Sequence, residues 1–183
     1  PVFAGLQLTA PASVRPQSSP VNHETAPKWP QIEFTFPADK ERPALQMRWY
    51  DGGKKPAAKS FGLSRLPADG AMVVGARGKL FIPTHGKMPT VLPSENGSRP
   101  ELPAEPDAVE LTHWQEWTAA CKNDQVTSCD FGYGAALTDV ALLGNVALRV
   151  GREIQWDAQQ RRVTNVDSAN ELLGREYRRG WEW

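Results

Sequence analysis

Two segments in the first third of the chain alternate apolar and polar residues with a period of two. Gln31–Phe36 and Leu45–Tyr50 each place three apolar side chains on one face and polar side chains on the other. This alternation predicts two half-buried β-strands, joined through the polar stretch 37–43 as a hairpin. The Asp-Gly-Gly sequence that follows at residue 51 predicts a tight turn, because glycine adopts positive φ without strain.

The last third of the chain changes to a helical period. Leu111–Asn123 places two tryptophans and a cysteine on one helical face. Thr112, with Gln115 three residues later, predicts a capping box at its start. The more apolar segment Gly134–Val150 predicts a second and more deeply buried helix, and Gly151 stands where a left-handed C-terminal cap is expected.

Shorter elements surround these. Ala71–Val74 and Lys79–Ile82 predict another hairpin, and Gln155–Asp157 and Arg162–Thr164 predict short strands. Ser168-Ala169-Asn170-Glu171 has the capping-box pattern and predicts a third helix that reaches Gly180.

Proline separates strand-rich from helix-rich sequence. All 16 prolines lie between Pro1 and Pro106, and proline is excluded from helix interiors. The chain is therefore predicted to be a single α+β domain over 1–183, strand- and loop-rich over 1–110 and helix-rich over 111–183. We expect an open, mainly antiparallel sheet with helices packed on one face.

Composition narrows the classes of function. The 183 residues carry 21 basic and 21 acidic side chains, and this balance argues against a nucleic-acid partner. No apolar stretch suggests a membrane span, so a soluble protein is expected. Cys121 and Cys129 lack the C-x-x-C spacing of zinc and redox sites. They are interpreted as two ordinary thiols, with a local disulfide as the alternative.

Most catalytic motifs are absent from the sequence. It contains no dinucleotide fingerprint, P-loop or nucleophile elbow. His113 and Glu116 share a predicted helical face, which suits an acid–base pair, part of a metal site or a surface contact. Trp49, Trp114 and Trp117 are predicted to lie in the core.

The strongest pattern comes from motifs spaced along almost the whole chain. They include Asn22-His23-Glu24-Thr25, Trp49-Tyr50-Asp51-Gly52-Gly53-Lys54, His113-Trp114-Gln115-Glu116-Trp117, Leu142-Leu143-Gly144-Asn145-Val146-Ala147-Leu148-Arg149, Gln155-Trp156-Asp157 and Arg175-Glu176-Tyr177-Arg178-Arg179-Gly180-Trp181. These motifs resemble the C-terminal domain of bacterial-type oxidoreductases of the glucose–fructose oxidoreductase and inositol dehydrogenase group, the Gfo/Idh/MocA family.

The resemblance implies half of a two-domain dehydrogenase. Members of the family carry an N-terminal Rossmann domain that binds NAD or NADP and ends near a catalytic lysine, and the chain as given starts after that part. The resemblance therefore implies a carbohydrate-like substrate, namely a sugar, cyclitol or glycoside. It also implies that NAD or NADP is bound by the intact protein and not by this chain, and that the compartment is either the cytoplasm or the periplasm. The alternative is a non-catalytic carbohydrate-binding or assembly module.

Five polar-tipped residues are candidates for binding that substrate: Asn22, Glu24, Tyr50, His113 and Tyr133. Each also has a structural interpretation. Asn22 and Glu24 suit a loop tie, the two tyrosines suit filling between sheet and helices, and His113 suits a bond to a backbone carbonyl. No catalytic residue and no metal ligand is assigned.

Two further expectations concern packing. The second face of the predicted sheet is amphipathic, so it is expected to join copies of the chain into a homo-oligomer, with Arg48 of one copy near Glu33 of the other. The alternative is a monomer with a solvated face. Arg149 or Arg152 is expected to pair with a carboxylate such as Asp157 or Glu176.

Overall fold

A computed structural model describes residues 1–22, 24–40, 42–84, 87–93 and 111–182. The chain divides into two compact units. The first contains residues 1–5 and 57–131, and the second contains residues 6–56 and 132–183. The helices and strands, in chain order, are α1 (Val2–Gly5), β1 (Ser13–Ser18), β2 (Pro30–Phe36), β3 (Leu45–Tyr50), β4 (Ala71–Gly75), β5 (Gly78–Ile82), β6 (Thr90–Leu92), α2 (His113–Asn123), α3 (Phe131–Val150), β7 (Ile154–Asp157) and β8 (Arg162–Val163).

The second unit is built on a five-stranded antiparallel sheet in the order β3-β2-β1-β7-β8. β1 contains Pro16, which is in register with Ile32 of β2. β7 pairs with β1 only at Ser13 and Val14. The second half of β1 therefore pairs only with β2 and acts as an edge strand. Proline is tolerated in an edge strand.

One face of this sheet is apolar and carries α3. Ile32, Phe34 and Phe36 alternate as buried residues of β2, and Val14 is fully buried on β1. Gly144 of α3 comes so close that an added Cβ would lie 3.0 Å from the Ile32 Cδ1 atom and 3.2 Å from the Phe34 ring. The absent side chain lets the helix backbone approach the sheet, and the core of this unit forms there.

α3 has the length and composition of a membrane-crossing helix. Its buried residues include Val140, Leu143 and Leu148, and its Gly144 faces the sheet. A core helix of a soluble domain meets the same test of length and composition, and the structure is consistent with a soluble protein. The expectation that no apolar segment is long enough to span a membrane is therefore wrong, because α3 is long enough.

The first unit contains a three-stranded antiparallel sheet, β4-β5-β6, and helix α2. α2 begins with the predicted capping box: the Gln115 backbone N–H donates to the Thr112 hydroxyl, and the Thr112 backbone N–H donates to the Gln115 side chain. This reciprocal pair satisfies two of the donors that a helix leaves unpaired at its start.

The predicted α+β class with an open, mainly antiparallel sheet and a helix packed on one face is confirmed. β2, β3, the β4–β5 hairpin and α3 lie within a few residues of their predicted bounds. Gly151 has φ +73° and its N–H donates to the Ala147 carbonyl, so the predicted left-handed cap is also confirmed.

Three further expectations are wrong. Trp49, Trp114 and Trp117 are 57%, 73% and 61% exposed and not core residues. The third helix is a short 3₁₀ helix, Asp167–Leu173. Its N-cap is Val166, which makes no side-chain cap hydrogen bond, so the expected capping box at Ser168 and Glu171 does not form. The Asn170 side chain bonds both backbone groups of Val163 in β8.

The third concerns Arg149 and Arg152. Within the described residues, neither arginine pairs with Asp157 or Glu176. Instead, one Asp157 carboxylate oxygen accepts the backbone N–H groups of Gln159 and Gln160, which closes the turn between β7 and β8.

Candidate functional site

The face of the five-stranded sheet opposite α3 is polar. We call it the open face. The register of β1, β2, β3 and β7 arranges its side chains in three rows that cross the strands. The outer rows are uncharged, and they consist of Gln46, Thr35, Ser13 and Gln155 on one side and Tyr50, Gln31 and Gln17 on the other.

The middle row, which we call the charged row, consists of Arg48, Glu33, Arg15 and Glu153. The Arg48 Nε lies 2.6 Å from one Glu33 carboxylate oxygen, and an Arg15 terminal nitrogen lies 3.4 Å from the other. The Arg15 Nε lies 3.1 Å from Glu153, the residue before β7. The hydrogen bond and the charge of Glu33 raise the pKa of the Arg48 guanidinium above its ordinary value. Arg48 therefore stays charged at neutral pH.

Three of the five candidate residues lie at one end of this sheet. Asn22 and Glu24 belong to the loop between β1 and β2, and Tyr50 is the last residue of β3, in register with Gln31. The Asn22 carboxamide oxygen accepts the backbone N–H groups of Glu24 and Thr25 at 2.9 and 2.7 Å. Asn22 thus ties the loop together, which agrees with its interpretation as a structural residue of the loop.

The turn after β3 packs against the end of the same loop. The backbone N–H of Asp51 donates to the Pro30 carbonyl, and an added Cβ on Gly52 would lie 1.9 Å from the Lys28 carbonyl oxygen. The Lys54 ammonium lies 4.5 Å from the centre of the Trp29 ring, a cation–π contact. This end of the sheet, which we call the loop end, therefore presents the Trp29 ring, Lys54, Tyr50 and the Glu24 carboxylate.

His113 and Tyr133 lie elsewhere. His113 is the exposed first residue of α2, in the first unit, and its ring meets Trp114 edge-on. Tyr133 lies in the first turn of α3, in the second unit, and is half-buried. The β-sheet gathers Asn22, Glu24 and Tyr50 and includes neither of these two residues.

Glu116, the predicted helical partner of His113, is held by a different residue. Its carboxylate accepts the backbone N–H and the hydroxyl of Ser128 at 2.5 and 3.0 Å. These two bonds, and to a smaller degree the charge of His113, lower the pKa of Glu116 below its ordinary value. The contact closes the loop between α2 and α3, so the surface-contact interpretation describes Glu116 best.

The sequence did not indicate a shallow groove of about 650 Å³ at the β7 end of the open face. Its polar lining includes Ser13, Glu153, Gln155, Asp157 and Thr164. The groove lies where β1 and β7 stop pairing and the β7–β8 turn rises beside them. The alternation of Glu153, Gln155 and Asp157 marks one polar face, but only the register shows that Ser13 lies opposite.

The chemistry of these surfaces is recognition by hydrogen bonds, charge and one aromatic ring. Among the described residues, no group of three or more His, Cys, Asp or Glu side chains is placed to hold a metal ion. Both cysteines are free and exposed, so the interpretation as ordinary thiols holds in this structure.

The described residues do not form a dinucleotide site of the Rossmann type. That site needs a strand leading through a glycine-rich turn into a helix N-terminus. α3 follows Ser128-Cys129-Asp130, with α2 as the preceding element, and the Thr112 cap of α2 is closed by Gln115. Neither helix therefore offers that turn within the described part of the chain.

Neither the protein-family models nor the curated proteins include a match to this chain.

Proposed function

We propose that this chain is the substrate-binding and oligomerisation half of an NAD(P)-dependent oxidoreductase of the bacterial Gfo/Idh/MocA type. In this proposal the substrate is a sugar, cyclitol or glycoside. The cofactor, NAD or NADP, is held by a Rossmann domain outside this chain. The protein assembles into a homo-oligomer through the open face of its sheet.

The loop end of the sheet is the observation that carries the proposal. The described residues of the two motifs Asn-His-Glu-Thr and Trp-Tyr-Asp-Gly-Gly-Lys lie at this end of the sheet. The second motif presents Tyr50 and Lys54, and the Lys54 ammonium lies over the ring of Trp29, at the end of the loop that contains Glu24. An aromatic face with hydrogen-bonding groups around it is the chemistry that a polyhydroxylated ring recognises.

Counted from first residue to first residue, Asn22 to Trp49, the two motifs are 27 positions apart along the chain, and the antiparallel pairing of β1, β2 and β3 brings them together.

Activity of the complete gene product tests the proposal. The coding sequence upstream of Pro1 is read, and the full product is purified and assayed for reduction of NAD or NADP with a panel of sugars, cyclitols and glycosides. We expect turnover with at least one of them. A full product that binds a saccharide without reducing either cofactor would instead support the carbohydrate-binding or assembly module.

Two variants connect that activity to the loop end. Tyr50→Phe and Glu24→Gln are expected to raise KM more than they lower kcat, because the groups they remove would bind substrate. Tyr177→Phe is the matched control, since it removes the same hydroxyl from an exposed tyrosine in the C-terminal segment. Equal KM values in all three variants and the parent enzyme would exclude the loop end as the substrate site.

The cofactor is tested on the isolated chain. Fluorescence titration with NADH and NADPH is expected to show no saturable binding, because the described residues lack the phosphate-binding turn. Micromolar affinity for either cofactor would contradict the assignment of this chain to the substrate half.

A further inference from the structure

We infer that the charged row aligns two copies of this chain packed through their open faces, in one orientation and not its reverse. The inference rests on the self-association in the proposed function and adds the arrangement of the two copies. Its basis is the sign of the charge on each strand: Arg48 on β3 is positive, Glu33 on β2 negative, Arg15 on β1 positive, and Glu153 before β7 negative.

An alternating row of four charges is complementary to its own reverse. In a symmetric pair, a two-fold axis perpendicular to the row reverses one copy against the other. Arg48 then faces Glu153 of the partner subunit, and Glu33 faces Arg15 of the partner subunit. An axis parallel to the row would place each charge against its own copy, and four like-charge contacts would oppose that orientation.

The exposed arginines leave room for these second contacts. The Arg15 and Arg48 side chains are 60% and 50% exposed, whereas Glu33 is 15% exposed because the two guanidinium groups cover it. A guanidinium has five N–H donors, and the bonds to Glu33 and Glu153 use only some of them. The intrachain ion pairs therefore hold the arginines in position while donors remain for a facing carboxylate.

The rows on either side do not select an orientation. They consist of amides, hydroxyls and one tyrosine, and such groups accept and donate hydrogen bonds in either direction. Charges across an interface contribute to specificity and association rate more than to affinity. The charged row is therefore expected to decide the alignment, with the neutral rows forming the remainder of the contact.

This arrangement gives Arg48 a different partner from the expected contact with Glu33 of the other copy. Arg48 already bonds Glu33 of its own chain at 2.6 Å. In the reversed alignment, the group across the interface from Arg48 is Glu153 of the partner subunit.

Charge reversal at the two ends of the row tests the inference. Arg48→Glu and Glu153→Arg each place like charges at both ends of a homodimer, so each is expected to raise the dissociation constant at least about tenfold. In an equimolar mixture of the two variants, opposite charges meet again at all four positions of a mixed dimer. The mixture is therefore expected to associate nearly as tightly as the parent chain. Sedimentation velocity over a micromolar concentration range gives both results.

Arg65→Glu is the matched control. Arg65 is an exposed arginine of the first unit and outside the row, so the same change of charge is expected to leave the dissociation constant unchanged. Circular dichroism establishes that each variant is folded. A salt series on the parent chain needs no variant: association is expected to weaken between about 0.05 and 0.5 M NaCl.

The outcomes separate this inference from the proposed function. Dimers that resist both charge reversals, or folded variants whose mixture does not associate, would overturn the alignment and leave the oxidoreductase proposal intact. Association that is insensitive to salt would do the same. A parent chain that stays monomeric would overturn both the alignment and the self-association, while turnover by the complete gene product would remain a separate result.

Discussion

Replacing Gly52 with alanine tests how closely the turn after β3 packs against the loop before β2. Gly52 has φ +61°, in the left-handed region, and its N–H donates to the Asp51 side chain at 2.7 Å. An added Cβ would lie 1.9 Å from the Lys28 carbonyl oxygen and 2.6 Å from the Trp29 Cα. Both obstructing atoms belong to the backbone, so no side-chain rotation relieves the overlap.

Gly53 provides the matched comparison. Its φ is +82°, but an added Cβ would meet no atom within 4 Å. Gly53→Ala is expected to lower the free energy of unfolding by about 1–2 kcal/mol, the strain of an L-residue in the left-handed region. Gly52→Ala incurs the same strain plus an overpacking cost of about 1–3 kcal/mol. The expected loss is therefore about 2–5 kcal/mol.

Urea unfolding followed by circular dichroism and tryptophan fluorescence gives both free energies. The difference between the two variants isolates the close approach, because the backbone strain is common to them. Equal losses would mean that the Lys28 carbonyl does not limit the space at Gly52, and the packing of the loop end described above would be wrong.

Substitutions at three other positions test separate features of the fold. Gly151→Val should lower the free energy of unfolding by about 1–2 kcal/mol through positive φ, and Gly151→Asn, which tolerates that conformation, should cost less. Asn170→Ala should cost about 1–3 kcal/mol in urea unfolding, because both backbone groups of Val163 lose their partner; no loss would contradict these bonds. Ser128→Ala should raise the pKa of Glu116 in an NMR titration, since the hydroxyl bond helps to lower it. Because the pKa of Glu116 is lowered on folding, its ionised carboxylate stabilises the α2–α3 loop at pH values above the unfolded-state pKa. This stabilisation is lost as the pH falls through the folded-state pKa.

Local periodicity predicted the elements whose faces are set by a sheet or helix core. β2 alternates buried and half-buried residues as its sequence does, and the apolar residues of α3 that face the sheet are buried. In both cases, one side of the element packs against a neighbour, so the pattern of the residues and their burial coincide.

The same reasoning failed for the tryptophans of α2. Trp114 and Trp117 share a helical face, but both are mostly exposed. A helical period shows which side chains point in the same direction, but it does not show that a partner covers them. The apolar pattern therefore predicted the helix correctly and the burial of its tryptophans incorrectly.

The candidate site was predictable in part. The sequence indicated that Arg48 and Glu33 share a face of adjacent strands, but the charged row also needs Arg15 and Glu153. Those two residues are 138 positions apart, and only the pairing of β1 with β7 aligns them. β1 itself was not predicted as a strand, because its alternation is weak and it contains a proline.

That proline affects how sheets of neighbouring molecules meet. The Ser19 N–H donates to the Trp29 carbonyl on the β2 side, and donors alternate in direction along a strand. The nitrogen of Pro16, three residues earlier, therefore points away from β2, toward the side that β7 leaves uncovered. Proline has no N–H to offer there, so a strand of another molecule finds no donor at this position. Edge-to-edge strand addition, the usual start of aggregation for an open sheet, is blocked along this stretch of β1.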